Sequence, residues 1–349
     1  SGGGDTTQQW ALNKAIQAWD RNDFAAALKG FNETSQIWPD SAEALMFMGM
    51  AYSALREANP AYLDQSITEL ERALQINPQN PDVIANLIGN YMLKAMSLNQ
   101  RSDRDKVIAL YKKMIAADPL SLAPYAGLAE LYISEGSYAA AAETMRDSYS
   151  GGFFGADHSN ILAAAYYLLD DRAAAFAQIE KTTLLRPQAR FPYILKGKLL
   201  CKEGRYAKAA AVFAAAPPDA PPQKPEASNY PRLLMAGADF FEGNAVGLSG
   251  RYADAIKKLS AFLAWLPSKK QLEDHKKKLA GDAQNIGGAS EISLELDGRF
   301  KGKSYPELSA EAEFRIPAML TLAHFYYRTG KQAESLKQLA AIEKLIAGE

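Results

Sequence analysis

The chain has 349 residues, 48% of them hydrophobic and 23% charged, a balance that excludes a wholly disordered or collagen-like polymer. With 39 Lys and Arg against 40 Asp and Glu the formal net charge is -1, so no global positive field draws in a phosphate backbone and nucleic acid is not an expected partner. One cysteine, Cys201, and three histidines, His158, His275 and His324, preclude an intrachain disulfide and a structural Cys/His zinc cage.

Residues 1–7 open with Ser1-Gly2-Gly3-Gly4-Asp5 and read as a flexible tether ahead of a folded domain. The stretch resembles the Ser/Gly tether that follows the lipid-bearing cysteine of bacterial lipoproteins. That resemblance implies a lipid anchor upstream of Ser1 and a periplasmic or outer-membrane-anchored protein. The other reading of the same residues is a plain linker that says nothing of compartment and leaves a cytoplasmic protein open. No run of about 18 apolar residues occurs, so no transmembrane helix is expected.

From 8 to 216 the chain is periodic, in six units. The first holds Asn22, Phe24, Ala27, Phe31 and Pro39; the second Leu45, Gly49, Tyr52, Ser66, Leu70, Ala73 and Pro78; the third Ile84, Leu87, Tyr91, Val107, Tyr111 and Pro119. Extra residues around 57–60 and 99–102 lengthen the connections inside the second and third. In the next three units Tyr138, Arg172 and Tyr206 stand 34 residues apart, as do Ala141, Ala175 and Ala209 and the turn residues Gly136, Asp170 and Gly204. Within one period Tyr125, Leu128, Ala129 and Tyr132 share a helix face, Gly136 breaks the helix, and Tyr138, Ala141, Ala142 and Met145 share a second face. Each period is thus a helical hairpin, with alanine where the helices cross.

Six prolines between Pro217 and Pro231 forbid helix, so 217–231 reads as an extended linker. The motif returns over 232–267 with Gly243, Gly250, Tyr252, Ala255, Leu259, Phe262 and Pro267. Residues 268–315 break the period: a charged stretch, 269–278, precedes the alternating Glu291–Leu296 and the turn pair Asp297-Gly298, which predicts a short β-hairpin. The last unit, 316–349, carries Met319, Leu322, Ala323, Tyr326, Gly330, Ser335, Leu339 and Ile342.

These spacings and residue types resemble the tetratricopeptide (TPR) repeat. The resemblance implies an all-α superhelix, a solenoid of about eight helical hairpins interrupted by one irregular insertion, working as a non-catalytic scaffold in assembly of a multiprotein complex. It also implies a concave groove lined by first helices. The places left for a ligand are then Trp19, Met46, Met50, Met92, Ile133, Tyr167, Phe191, Ile194, Phe240, Phe241 and Tyr327, an apolar and Met-rich set suited to a helical or extended apolar segment of a partner protein or peptide. A structural subunit of a bacterial envelope secretion, pilus or polysaccharide-export machine, its groove filled by its own chain, is the alternative. The co-chaperone clamp for acidic chain ends is excluded, because Leu12, Ile16, Phe47, Asp82 and Asn86 stand where it needs Lys, Asn and Arg.

No Gly-rich phosphate loop, His-Glu-x-x-His pair or Gly-x-Ser-x-Gly elbow is present, so neither enzymatic activity nor a cofactor or metal is expected. Cys201 lies in an apolar helix, His324 reads as an exposed groove residue, and the pairs Asp103/Asp105 and Asp170/Asp171 read as helix caps.

Overall fold

The computed structural model describes residues 3–98, 101–149, 155–218, 234–274 and 305–347. Among them every regular element is a helix. Six helices run α1 (Gly3–Asp20), α2 (Phe24–Ile37), α3 (Ala42–Ala54), α4 (Ala61–Ile76), α5 (Pro81–Leu98) and α6 (Arg101–Ala117). Next come α7 (Leu122–Ser134), α8 (Tyr138–Tyr149), α9 (Ala156–Leu168), α10 (Arg172–Leu185), α11 (Arg190–Lys202) and α12 (Tyr206–Ala214). The rest are α13 (Ala238–Leu248), α14 (Tyr252–Trp265), α15 (Tyr305–Ala312), α16 (Arg315–Arg328) and α17 (Gln332–Ala347). Among the described residues the chain forms two compact units, one reaching to Leu128 and one beginning at Ala129.

The hairpin turns share one chemistry. Asn22, Gly136, Asp170, Gly204, Gly250 and Gly330 all take a left-handed backbone, φ between 59° and 97°. Glycine adopts it without a Cβ clash, and Asn and Asp are the other residue types that tolerate it. In each turn the next N–H reaches back to a carbonyl of the first helix: Asp23 to Ala18, Ser137 to Tyr132, Asp171 to Tyr166, Arg205 to Leu200, Arg251 to Val246 and Lys331 to Tyr326. This bond satisfies a carbonyl that the helix end would otherwise leave bare. In two turns an aspartate then starts the second helix, Asp23 accepting from the Ala26 N–H and Asp171 from the Ala174 N–H, both at 3.1 Å.

Packing follows from small residues at the crossings. In the first unit a Cβ on Gly49 would lie 2.6 Å from Leu70, so α3 and α4 approach closely only because glycine stands there. A buried polar chain ties the next helix on: Ser66 Oγ donates to the Gly49 carbonyl (2.5 Å), Asn90 Nδ2 to Ser66 Oγ (2.7 Å) and Ser53 Oγ to Asn90 Oδ1 (2.8 Å). In the second unit Gly197 admits the Phe213 ring in the same way. The core from α11 to α16 is built on Ile194, Leu200, Phe213, Phe240, Leu259, Phe262, Leu322 and Phe325. Each such side chain is worth roughly 1.5–3 kcal/mol when covered, well above the 0–1 kcal/mol or so of surface pairs such as Arg205–Glu203.

Three sequence expectations change. Helix α1 already begins at Gly3, inside the 1–7 tether, because adding a residue to an existing helix is cheap once the nucleus exists. The extra residues of the third unit lengthen α5 and α6 to 18 and 17 residues rather than the connection between them. The 268–315 segment ends in α15, whose Leu308 and Glu311 are buried. Pro217 and Pro218 follow α12 outside any helix. The remainder of the proline-rich linker and the predicted β-hairpin lie outside the described residues.

Candidate binding faces of the first helices

In the first unit Trp19 is half-buried on α1, its ring 5.0 Å from Phe24 and 6.0 Å from Phe47, and Phe47 stacks on Phe31 at 5.3 Å. Met46 and Met50 on α3 and Met92 on α5 are likewise half-buried. Beside Met92, at helical spacing, stand Ala85 and Gly89, both exposed, and Leu93, 39% exposed. A Cβ built on Gly89 meets nothing within 4 Å, so this row is open. Ala85, Gly89 and Leu93 are absent from the sequence-derived set. Their signal was the i, i+4, i+7, i+8 row that includes Met92. On the same helix the Tyr91 hydroxyl donates to Glu71 while Lys106 Nζ donates to Tyr91 (2.9 Å) and lies over its ring at 4.6 Å. Burial, reinforced by Glu71, holds the phenol protonated beyond its usual range.

The second unit treats the same side differently. Ile133, Phe191, Ile194 and Phe240, expected to face a ligand, are 2–8% exposed and belong to the core. Leu234 and Met235, ahead of α13, pack against the cluster that holds Phe191. Phe314, between α15 and α16, meets Phe240 at 5.5 Å and Phe241 at 5.7 Å, and it fills the space beside Gly237. Tyr167 and Phe241 are half-buried, Tyr167 lying under Lys202 Nζ at 4.2 Å. Only Tyr327 of the expected set, 62% exposed, faces open space, flanked along α16 by exposed His324 and by Leu320 at 48%.

Lys198 sits at the centre of this filled face. Its Nζ donates to the Leu234 and Ala236 carbonyls, each at 2.6 Å, and lies 4.9 Å from the Phe241 ring and 5.9 Å from Phe314. The Gly237 N–H donates to Glu311 at 2.8 Å, so two buried charged side chains of opposite sign hold one short stretch of backbone. Burial pushes the Lys198 ammonium down to about 8, the Glu311 charge acting against that shift. Burial also pushes the Cys201 thiol up to about 11, away from the reactive thiolate. The exposed Asp170 carboxylate is held below its ordinary range by Arg172 and Lys202, a turn's ion cluster. Among the described residues no group of three His, Cys, Asp or Glu is arranged to hold a metal, and no helix is long and apolar enough to cross a membrane.

Left-handed turns, small-residue crossings and alternating first and second helices define an α-helical repeat protein of TPR-like type. No family model matches the chain, and no curated protein matches it. Solved structures of similar course include MamA, 15% identical over 52% of this chain and 93% of that one, with a TM-score of 0.43. A tetratricopeptide repeat protein from Parabacteroides merdae is 13% identical over 80% of this chain and 100% of its own, with a TM-score of 0.46. YrrB, a TPR protein with an unusual peptide-binding site, is 18% identical over 60% of this chain and 97% of its own, with a TM-score of 0.39. The repeat fold is defined by the turns and crossings themselves rather than by these likenesses.

Proposed function

We propose that the protein is a non-catalytic scaffold that grips an apolar helical or extended peptide on the first-helix face of its first unit, in the assembly of a multiprotein complex. The observation that carries this reading is the open row Ala85, Gly89, Met92 and Leu93 on α5, with Met46 and Met50 on α3, a helix in contact with α5. Small residues let a ligand backbone come close, and flexible thioethers adapt to a partner without demanding one side-chain identity. The filled face of the second unit favours a different role for that part, a rigid structural element, because Phe314 and the Lys198 contacts occupy the space a ligand would need. An envelope setting with a lipid anchor ahead of Ser1 belongs to the same proposal, and incorporation of labelled palmitate into the full-length protein tests it.

Selection of displayed random peptides on the purified chain tests the ligand face. Enriched sequences should share an apolar i, i+3, i+4 pattern and bind about tenfold more weakly to Gly89→Trp and Met50→Asp variants, as loss of a central contact does. Tyr327→Asp should leave them unaffected. Absence of any enriched sequence, or binding indifferent to Gly89→Trp, would sink the reading.

A further inference from the structure

We propose that the cleft between α10, α11 and α12 is a docking site for an acidic segment of a partner protein, anchored by one large apolar side chain. This surface lies in the second unit and does not depend on the reading given for the α5 row. The cleft is lined by Thr183 of α10, Tyr193 and Lys196 of α11, and Ala211, Val212 and Ala215 in and just after α12. It holds about 220 Å³ and its lining is mostly apolar. Small-molecule sites run to about 300–1,000 Å³, so this one has room for a side chain rather than a cofactor. Beside Thr183 stand Leu184, 84% exposed, and Leu185, 48% exposed, so apolar surface continues out of the cleft, as it does at interaction sites.

The rim is held in place and basic. The Tyr193 hydroxyl donates to the Pro187 carbonyl at 3.2 Å, which ties that wall to the α10–α11 turn. Lys208, one turn ahead of Ala211 and Val212, is exposed on the same face of α12, and Arg186 is exposed at the end of α10. Lys196 Nζ stands 4.0 Å from Glu180 Oε1, an exposed pair too long for a hydrogen bond, which a partner's carboxylate can replace. From Arg172 to Lys208 the chain carries nine Lys or Arg against two Glu, a local positive excess that a net charge of -1 conceals.

Charge defines the occupant as acidic. The internal segments outside the described residues do not meet this description: 219–233 carries two acids and two bases, 275–304 four acids and six bases, and 99–100 and 150–154 no charge. A bilayer surface attracts lysines equally well but offers no side chain for the cleft.

The test selects random displayed peptides on the full chain and measures the enriched ones as fluorescein-labelled synthetic peptides. A class of net negative peptides sharing one Phe, Leu or Trp is expected, bound more weakly as salt is raised. Ala211→Phe, which fills the cleft, and Lys196→Gln with Lys208→Gln should each weaken that class at least about tenfold. Ala211→Glu exchanges one good helix former for another at an exposed place, so it should keep wild-type helicity by circular dichroism and weaken the same class through its charge. Gly89→Trp should bind these peptides as the wild type does. Absence of an acidic class, or one indifferent to the Ala211 substitutions, overturns the proposal, and peptides sensitive only to Gly89→Trp would do so while leaving the α5 reading intact. Competition by a synthetic peptide of residues 219–233 also overturns it, since the cleft would then belong to the chain itself. So do a concentration-dependent dimer in sedimentation, or cosedimentation with phosphatidylglycerol vesicles, that the Lys196 and Lys208 substitutions abolish, because the face would then belong to a second copy or to a bilayer.

Discussion

On the first unit Met46, Met50, Met92 and Gly89 leave the first helices accessible, whereas on the second the same side holds Phe240, Phe241 and Phe314 closed around Lys198. The hairpins and their turns are of one kind in both units, so the difference lies in the side chains that project from the first helices. A thioether or a missing side chain tolerates water and keeps the surface ready for more than one neighbour. Aromatic rings and a desolvated ammonium do not, and they demand a permanent cover supplied by the same chain. One scaffold thus yields a receptive surface and a sealed one.

Truncating the seal should produce the largest effect. Phe314→Ala should destabilise the second unit by about 2–4 kcal/mol, read as lost hydrogen-exchange protection in α11 and α13. Met50→Ala, on the accessible side, should cost no more than about 1 kcal/mol. Equal losses at the two sites would erase the distinction between the units.

Acidity offers a second lever, specific to the sealed side. Lys198 titrates near 8 in the folded chain and at an ordinary 10.5 when unfolded. Between those values the unfolded chain holds more protons, so stability of the second unit should rise as pH increases from 8. Cys201, raised from 9.0 to about 11, opposes this above pH 9. The window to read is therefore pH 8–9, where the slope should be positive and about half of the 1.4 kcal/mol or so per pH unit that one full proton gives. Lys198→Met should flatten it, and a slope that persists in that variant would assign the effect elsewhere. The smallest effect should be shared: Asp23→Ala and Asp171→Ala each remove a helix cap and should cost about 1 kcal/mol in local exchange stability. A large inequality would mean that the turns, too, differ between the units.

The hairpins were legible in the sequence because each turn needs Gly, Asn or Asp at one fixed place, and Gly136, Asp170 and Gly204 announce it by composition alone. The half-buried methionines could be read from helical spacing. The sealing of the second unit could not, for two physical reasons. Phe191, Ile194 and Phe240 occupy helix positions whose pattern is identical whether they face a ligand or the core. What decides is cover from residues 36 and 38 positions away, the Leu234 and Ala236 carbonyls that receive Lys198. A lysine in a helix reads as a solvated charge, and nothing local marks this one for burial. The lengthened α5 and α6 were missed because extra residues without Gly or Pro extend helices as readily as loops.

The uniform turn has a consequence for how such a chain changes length. Asp171 bonds back to Tyr166 and Arg205 to Leu200 across turns of one geometry, 34 residues apart. Excising residues 171–204 would bring Arg205 directly behind the left-handed Asp170, and its N–H would find the Tyr166 carbonyl where Asp171 had found it. The joint is indifferent to which module follows it, so insertion or loss of a whole cassette conserves the turn's backward backbone bond while it alters how many side chains the array displays.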